Sequence, residues 1–165
     1  MQVRKATKDD IRTLVDLRIE FIKVMHPGLS QEQCAAHAAM LADYFTRHIN
    51  LDFWGYFAEI DGEIASVIHL VMMERPANPR LRTGKIGMIL NVYTKPQYRK
   101  RGLASLLLKE AIKDAEEFGA SVLELQASDM GRHVYEQLGF EVRQSEYTPM
   151  VYRVGRQNDG LDCIS

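Results

Sequence analysis

Cysteine is scarce in this chain of 165 residues. Cys34 and Cys163 are the only two, and they stand far apart. Such a pair makes neither a disulfide framework nor a metal-ligand set, so no metal site is expected and a reducing, cytoplasmic setting is. Long apolar runs are also missing. Nothing approaches the ~20 consecutive apolar residues that span a bilayer, so no membrane helix is expected. No apolar stretch follows the N-terminal Met-Gln-Val-Arg-Lys, so no signal peptide is expected either. Charge of either sign is not in surplus: 21 Lys and Arg against 22 Asp and Glu leave a net charge of −1. No global field would draw nucleic acid or a membrane surface, and any anion site has to be local. The Gly-Lys-Ser/Thr of a nucleotide P-loop is absent. No G-x-G-x-x-G follows an early strand, which argues against a dinucleotide fold. There is no internal repeat and no sign of a domain boundary.

What is present is one domain's worth of chain with an ordinary apolar content of 46%. Its organising stretch is 86–119. Ile86 to Thr94 is apolar and β-rich and reads as a buried strand. Pro96 ends it, having no N–H to give to a ladder. Arg99, Lys100 and Arg101 crowd three positive charges together, Gly102 follows, and Leu103, Leu106, Leu107, Ala111, Ala115 and Phe118 recur at helical spacing. The first turn of a helix leaves N–H groups without partners, and its dipole favours an anion there. A glycine lets a ligand approach the backbone. Strand, basic loop, glycine and helix together are a physical recipe for gripping phosphate.

In chain order, residues 2–6 read as a first strand. Thr7 caps a helix whose inner face is Ile11, Leu14, Val15, Ile22 and Met25, with Leu17 and Phe21 beside it. His26-Pro27-Gly28 ends that helix. Ser30 and Gln33 form a capping box for a second helix running to about His48, with Ala38, Leu41, Tyr44 and Phe45 inward. Residues 53–60 and 63–73 read as strands joined by the hairpin turn Asp61-Gly62. A loop with two prolines and three arginines spans 75–84. Gly119 breaks the helix after the basic loop, and 121–126 reads as a strand, so 86–126 is a strand–helix–strand unit with a parallel crossover. A short helix spans Asp129 to Leu138. Residues 140–146 and 150–154 read as a last antiparallel pair, and 155–165 as a polar, frayed tail beyond a single domain of 1–154.

Arg99-x-x-Gly102-x-Ala104, after a strand ending in Thr94, resembles the acetyl-CoA signature of the GCN5-related N-acetyltransferases (GNAT superfamily). A second match follows in order: Ala127-Ser-Asp-Met-Gly-Arg-His-Val-Tyr135-Glu-Gln-Leu-Gly-Phe140 is similar to the family's late helix, with a tyrosine four residues before a Gly-Phe pair. The resemblance covers roughly 1–154 and is specific over 86–140. It implies an α/β fold of the GNAT type: a single mixed, mostly antiparallel sheet with a central parallel strand pair, flanked by helices on both faces.

The resemblance also implies a chemistry, N-acetyl transfer from acetyl-CoA to a primary amine of a small molecule or peptide by direct attack in a ternary complex. Backbone N–H groups from Arg101 through Leu103, Ala104 and Ser105, with the side chains of Arg99, Lys100 and Arg101, would take the pyrophosphate. Arg132 would add a further phosphate contact. The strand 86–94 would splay from its neighbour at a bulge, with the Val92 N–H facing the acetyl oxygen and Tyr93 and Thr94 bordering the pantetheine arm. Tyr135 matches the general-acid position: a phenol with a reference pKa near ~10 carries a proton at neutral pH and can give it to a thiolate. Ser128 stands where many members carry a cofactor-contacting asparagine, so one hydrogen bond is kept there and one lost.

The general base is the least determined role. Met88 occupies the position where some members carry a glutamate. Glu74, His69, Glu59 and Glu20 are the candidates, with Glu74 preferred for ending its strand near the expected acceptor cleft, and a water chain or an amine arriving neutral as alternatives. His69, set among apolar strand residues, reads more simply as a satisfied sheet histidine. The acceptor is expected between the first two helices, the loop 74–84 and the last hairpin, where Arg75, Arg80 and Arg82 face Glu20, Asp43 and Asp52. Cys34 reads as structural, and Trp54 as core or dimer surface. The competing reading is a non-catalytic acyl-CoA-binding module of the same fold. The identity of the acceptor and the oligomeric state are left open, a homodimer being a family-level expectation.

Overall fold

A computed structural model describes residues 1–144 and 147–152 of the chain. Its strands are β1 (Gln2–Lys5), β2 (Phe53–Ile60), β3 (Glu63–Glu74), β4 (Lys85–Thr94) and β5 (Val122–Glu124). Its helices are α1 (Ile11–Met25), α2 (Gln31–His48), α3 (Leu103–Glu117) and α4 (Asp129–Gln137). The strands form one sheet in the order β1-β2-β3-β4-β5. β1 to β4 are antiparallel neighbours, and β4 pairs with β5 in parallel. The fold is therefore the mixed, mostly antiparallel α/β sheet expected, with its parallel pair at one end of the five described strands.

Alternation along the strands splits the interior into two cores. From β2, Trp54, Tyr56 and Ala58 join Ile68 and Leu70 of β3 beneath Leu103, Leu107, Leu108 and Ala111 of α3. On the other face Phe53, Phe57, Val67 and Tyr93 pack against Leu14, Val15 and Leu17 of α1 and Phe45 of α2. The period of two on the strands and of 3.6 on the helices thus places helices over both faces. Burying each large apolar side chain contributes roughly 1.5–3 kcal/mol, so these two layers carry the fold. Trp54 belongs to the α3 core, stacked on Phe118 at 4.3 Å between ring centroids. Charge enters that core once: Tyr56 donates to Asp114 at 2.5 Å, and Lys5 Nζ lies 2.6 Å from the same carboxylate.

The local signals act as the residue types dictate. Ser30 accepts from the Gln33 N–H while the Gln33 side chain accepts from the Ser30 N–H, closing the capping box of α2. Asp61 and Gly62 both take positive φ in the β2–β3 turn. Two expectations need correction. Met25 is exposed and Ile22 only half-buried, because α1 leaves the sheet before its last turn and its buried positions are Leu14, Val15 and Leu17. The last antiparallel pair is not formed by the described residues: 140–144 and 150–152 have no ladder partner and lie without regular structure. Residues 145–146, 153–154 and the tail 155–165 lie outside the described residues.

Candidate functional site

The site begins where β4 stops being regular. Val67 pairs with Tyr93 and His69 with Leu90, so two steps along β3 answer three along β4, and β4 carries one extra residue. Asn91 absorbs it with φ 52°, a left-handed conformation that asparagine tolerates better than most residues. On the other side β4 pairs with β5 only at Ile86, Gly87 and Met88. A Cβ on Gly87 would lie 2.5 Å from Leu123 Cδ2, so the two strands are drawn together there by the missing side chain. From Ile89 onward the edge of β4 that faced β5 has no partner among the described strands. The splay at a bulge that the resemblance implied is present, and Val92, half-buried, follows the bulge directly.

The basic loop opens at the end of the same strand. Pro96–Tyr98 make one 3₁₀ turn, and Lys95 and the Tyr98 hydroxyl both reach Glu63, at 2.8 and 2.7 Å, tying the loop to the start of β3. Lys100 and Gly102 take φ of 60° and 74°, folding the chain back to start α3. The first backbone bond of that helix runs from the Leu106 N–H to the Gly102 carbonyl at 3.1 Å. The N–H groups of Leu103, Ala104 and Ser105 are thus left without intrahelical acceptors. A Cβ built on Gly102 meets nothing within 4 Å, so the cradle is open. Arg99 donates from Nε to the Thr94 carbonyl at 3.2 Å, and the Arg101 guanidinium lies 5.4 Å from the centre of the Tyr98 ring. Among the described residues none of Arg99, Lys100 and Arg101 forms an ion pair. Three positive charges and a helix N-terminus face outward together, uncompensated.

Tyr135 belongs to the same core as Leu103, with Val92 and Tyr98 packed at its border, so the loop, the bulge and the tyrosine share one face of the sheet. The residue is 8% exposed. A Cβ on Gly131 would lie 3.3 Å from its hydroxyl oxygen and 3.4 Å from Ser128 Oγ, so the phenol reaches the first turn of α4. Its hydroxyl makes no hydrogen bond among the described residues, and burial pushes its pKa above the ordinary tyrosine value. It stays protonated across the neutral range. Ser128 caps α4, its hydroxyl accepting from the Gly131 N–H at 3.3 Å, and retains its own proton for donation. Arg132 donates to Glu136 one turn on, at 2.7 Å. An exposed pair of this kind is worth about 0–1 kcal/mol, so a phosphate could outbid Glu136.

The base candidates separate by geometry. Glu74 pairs with Lys85 at the far end of β3, five residues from His69, which is about 17 Å at ~3.4 Å per strand residue. Its strand runs away from the bulge, so the fold does not bring Glu74, the expected base, to the opened edge of β4. Glu59 is held by Arg4 at 2.7 Å. Glu20, on α1, is the one carboxylate of the group that meets β4 beyond the bulge, its Oε2 lying 3.5 Å from the Tyr93 hydroxyl. His69 is 3% exposed, with Phe45 and Phe53 edge-on at 5.5 and 4.9 Å. Arg18 can only donate, and its Nη1 lies 3.0 Å from Asn91 Oδ1. That orients the amide so that Asn91 Nδ2 donates to His69 Nε2 at 3.4 Å, leaving the imidazole proton on Nδ1.

Burial, then the nearby Arg18 charge, holds the His69 pKa down at about 3 against an ordinary 6.5. The unfolded chain therefore binds a proton below about 6.5 that the folded chain refuses, so stability is full above 6.5 and falls as the pH drops toward 3. Urea unfolding should show a loss of roughly 2 kcal/mol between pH 7 and pH 5 at 1.36 kcal/mol per unit. His69→Gln should remove most of that slope while lowering stability at pH 7. An unchanged slope in the variant would assign the pH dependence elsewhere.

A cavity of about 960 Å³ lies at the outer edge of β5 between the loop 75–81, α4 and residues 140–144. Tyr135 and Arg132 border it with Arg75 and Arg80, but the bulge and the Gly102 loop do not. The loop expected beside the acceptor is thus placed against β5. Asp43 and Asp52 pair locally, with Arg47 and His48. Two residues at the bulge escape sequence reading. Asn91 is one polar residue in an apolar strand, and its tolerance of positive φ is the signal that could have placed the bulge. Arg18 sits on an amphipathic helix where an arginine reads as solvated.

Residues 20–140 match the model of the acetyltransferase (GNAT) family. Among solved structures, a predicted acetyltransferase with acetyl-CoA from Clostridium acetobutylicum is 27% identical, with a TM-score of 0.78 over 91% of this chain and 95% of that one. A GCN5-related N-acetyltransferase from Ralstonia eutropha is 24% identical, with a TM-score of 0.74 over 90% and 97% of the two chains. A ribosomal-protein-alanine N-acetyltransferase from Brucella melitensis is 20% identical, with a TM-score of 0.65 over 93% and 100%, a likeness of fold. No curated protein sequence matches the chain.

Proposed function

The chain belongs to the acetyltransferase (GNAT) family, and from that premise we propose that it transfers the acetyl group of acetyl-CoA to a primary amine by direct attack in a ternary complex. The observation that carries this reading is the coincidence, on one face of the sheet, of an opened β4 edge past Met88, a basic loop without ion pairs at the N-terminus of α3, and the buried phenol of Tyr135. The residues fit the co-substrate: Gly102 has open space where a Cβ would stand, and the first-turn amides of α3 point into it. Arg99, Lys100, Arg101 and the N–H groups through Leu103, Ala104 and Ser105 would hold the pyrophosphate, with Arg132 and Ser128 at the α4 side. When bound, acetyl-CoA supplies an activated acyl group.

The chain's own residues then divide the work. The Val92 N–H, beside the bulge, would donate to an acyl oxygen as negative charge gathers on it. Removing one such donor from an active site costs about 100-fold or more in rate. Tyr93 and Thr94 border the arm, Thr94 held by Ser66 at 2.8 Å. Tyr135 supplies the proton that a departing thiolate needs, and its raised pKa keeps that proton available at neutral pH. Met88 cannot take a proton, so the amine would lose its proton through water or arrive neutral, with Glu20, 3.5 Å from the Tyr93 hydroxyl, as the carboxylate beside the bulge. The test is thiol release: purified protein, acetyl-CoA and a panel of primary amines, followed with a thiol-reactive dye. Amine-dependent release supports transfer. Tight acetyl-CoA binding with no release from any amine would leave a binding module instead.

A further inference from the structure

We propose that Arg18 is the acceptor's carboxylate-binding residue, so that the amine acetylated belongs to a small amino carboxylate. This rests on the transferase reading above and deepens it. Arg18 rises from α1 on the face of the sheet opposite the Gly102 loop, and its guanidinium meets the chain at the bulge, 3.0 Å from Asn91 Oδ1. Val92, whose N–H faces the acyl oxygen in that reading, is the next residue. An anion held by Arg18 would therefore lie beside Asn91, the residue that precedes Val92.

The side chain is otherwise under-used. A guanidinium has five N–H donors, and a half-buried one that spends a single bond on a neutral amide is costly to desolvate. Its other recorded contact is the Phe21 ring, 5.6 Å from the guanidinium carbon to the centroid. No carboxylate lies within ion-pair distance of it among the described residues. The other arginines that touch an acid behave differently. Arg4, also half-buried, is met by both Asp10 and Glu59 at 2.7 Å. Arg12, Arg47, Arg132 and Arg143 each hold one acid at the surface. Burial depresses the Arg18 pKa, the sign of a charge without a counter-charge. Among the described arginines only Arg18 combines burial with a missing acid, and it does so at the bulge. A planar fork presenting unspent donors matches a carboxylate in a bidentate manner. Glu20, near the Tyr93 hydroxyl, supplies the opposite sign on the same helix for the ammonium end. Because Arg18 touches the residue next to Val92, the acceptors selected would be those whose amine and carboxylate are separated by few bonds.

The test compares matched acceptors in the thiol-release assay with wild-type protein: the L-amino acids, β-alanine and γ-aminobutyrate against their carboxamides. Turnover is expected for one or more acids and is expected to fall by about 30-fold to 100-fold in the matching amide, the range of a lost charge-assisted bond. Arg18→Gln should raise KM for that acid by a similar factor, with kcat and acetyl-CoA affinity changed by less than about 3-fold, and Arg18→Lys should recover part of the loss. A merely structural arginine would not discriminate acid from amide. Amides used as well as acids would overturn the proposal, as would no acid being used by protein that binds acetyl-CoA. Failure to bind acetyl-CoA at all would instead bring down the transferase reading on which it rests. The wild-type comparison needs no variant, so a poorly folding Arg18→Gln does not stall the test.

Discussion

Tyr135→Phe lowers kcat by about 100-fold to 1,000-fold, the range of a lost general acid, while acetyl-CoA affinity stays within about 3-fold of wild type. The division follows from the geometry. The ring packs with Phe140 at 6.1 Å between centroids and belongs to the α3 core, and phenylalanine preserves both. Only the hydroxyl is removed, and it makes no hydrogen bond among the described residues whose loss would disturb the fold. The pH profile gives a second reading. Burial raises the tyrosine pKa, so the wild-type rate should hold its acid form past the ordinary value near ~10 and bend down above it. That alkaline limb should vanish in the variant. Steady-state kinetics from pH 6 upward check both, and an unchanged kcat at every pH would strip Tyr135 of the role.

Gly102→Glu abolishes detectable acetyl-CoA binding in calorimetry while the protein keeps a cooperative unfolding transition. Two effects act at once. The residue sits at φ 74°, where a side chain costs roughly 1–2 kcal/mol of local strain. Nothing lies within 4 Å of the added Cβ, so no core contact is broken. The glutamate's charge, in contrast, falls among the first-turn amides of α3 and beside Arg99, Lys100 and Arg101, where it takes the phosphate's place. Gly102→Ala separates the two effects: it carries the strain without the charge, and should weaken binding by about 10-fold or less. Equal affinity in Gly102→Glu and wild type would remove the loop from the binding site.

These positions were legible because their signals are local. A proline, three cations and a glycine between a β-rich run and a helical run specify a strand, a turn and an α3 N-terminus with little help from the rest of the chain. The capping box at Ser30 and the Asp61-Gly62 turn are legible for the same reason. The bulge is different. Whether a strand takes one extra residue depends on the register of its partner, and nothing in 86–94 states what 66–74 does opposite. Glu74 was misplaced by the same blindness: being at the end of a strand says nothing about which end of the sheet the chemistry occupies. Arg18 is illegible for a related reason. Its meaning lies in the absence of an acid around it, and absence of a neighbour is a property of the packed molecule. The expected closing pair, 140–146 with 150–154, has no ladder partner at its described residues 140–144 and 150–152, and strand pairing is again a property of the partner, not of the segment.

Together the cradle at Gly102 and the opened edge of β4 would form the acetyl-CoA site. Isothermal titration of the wild-type protein with acetyl-CoA, with coenzyme A alongside, tests it most directly. Saturable, micromolar, one-to-one binding of both is expected, since the pyrophosphate grip is common to the two. A protein that unfolds cooperatively yet gives no binding heat with either, at several temperatures, would contradict it and leave the chain with the family's fold alone.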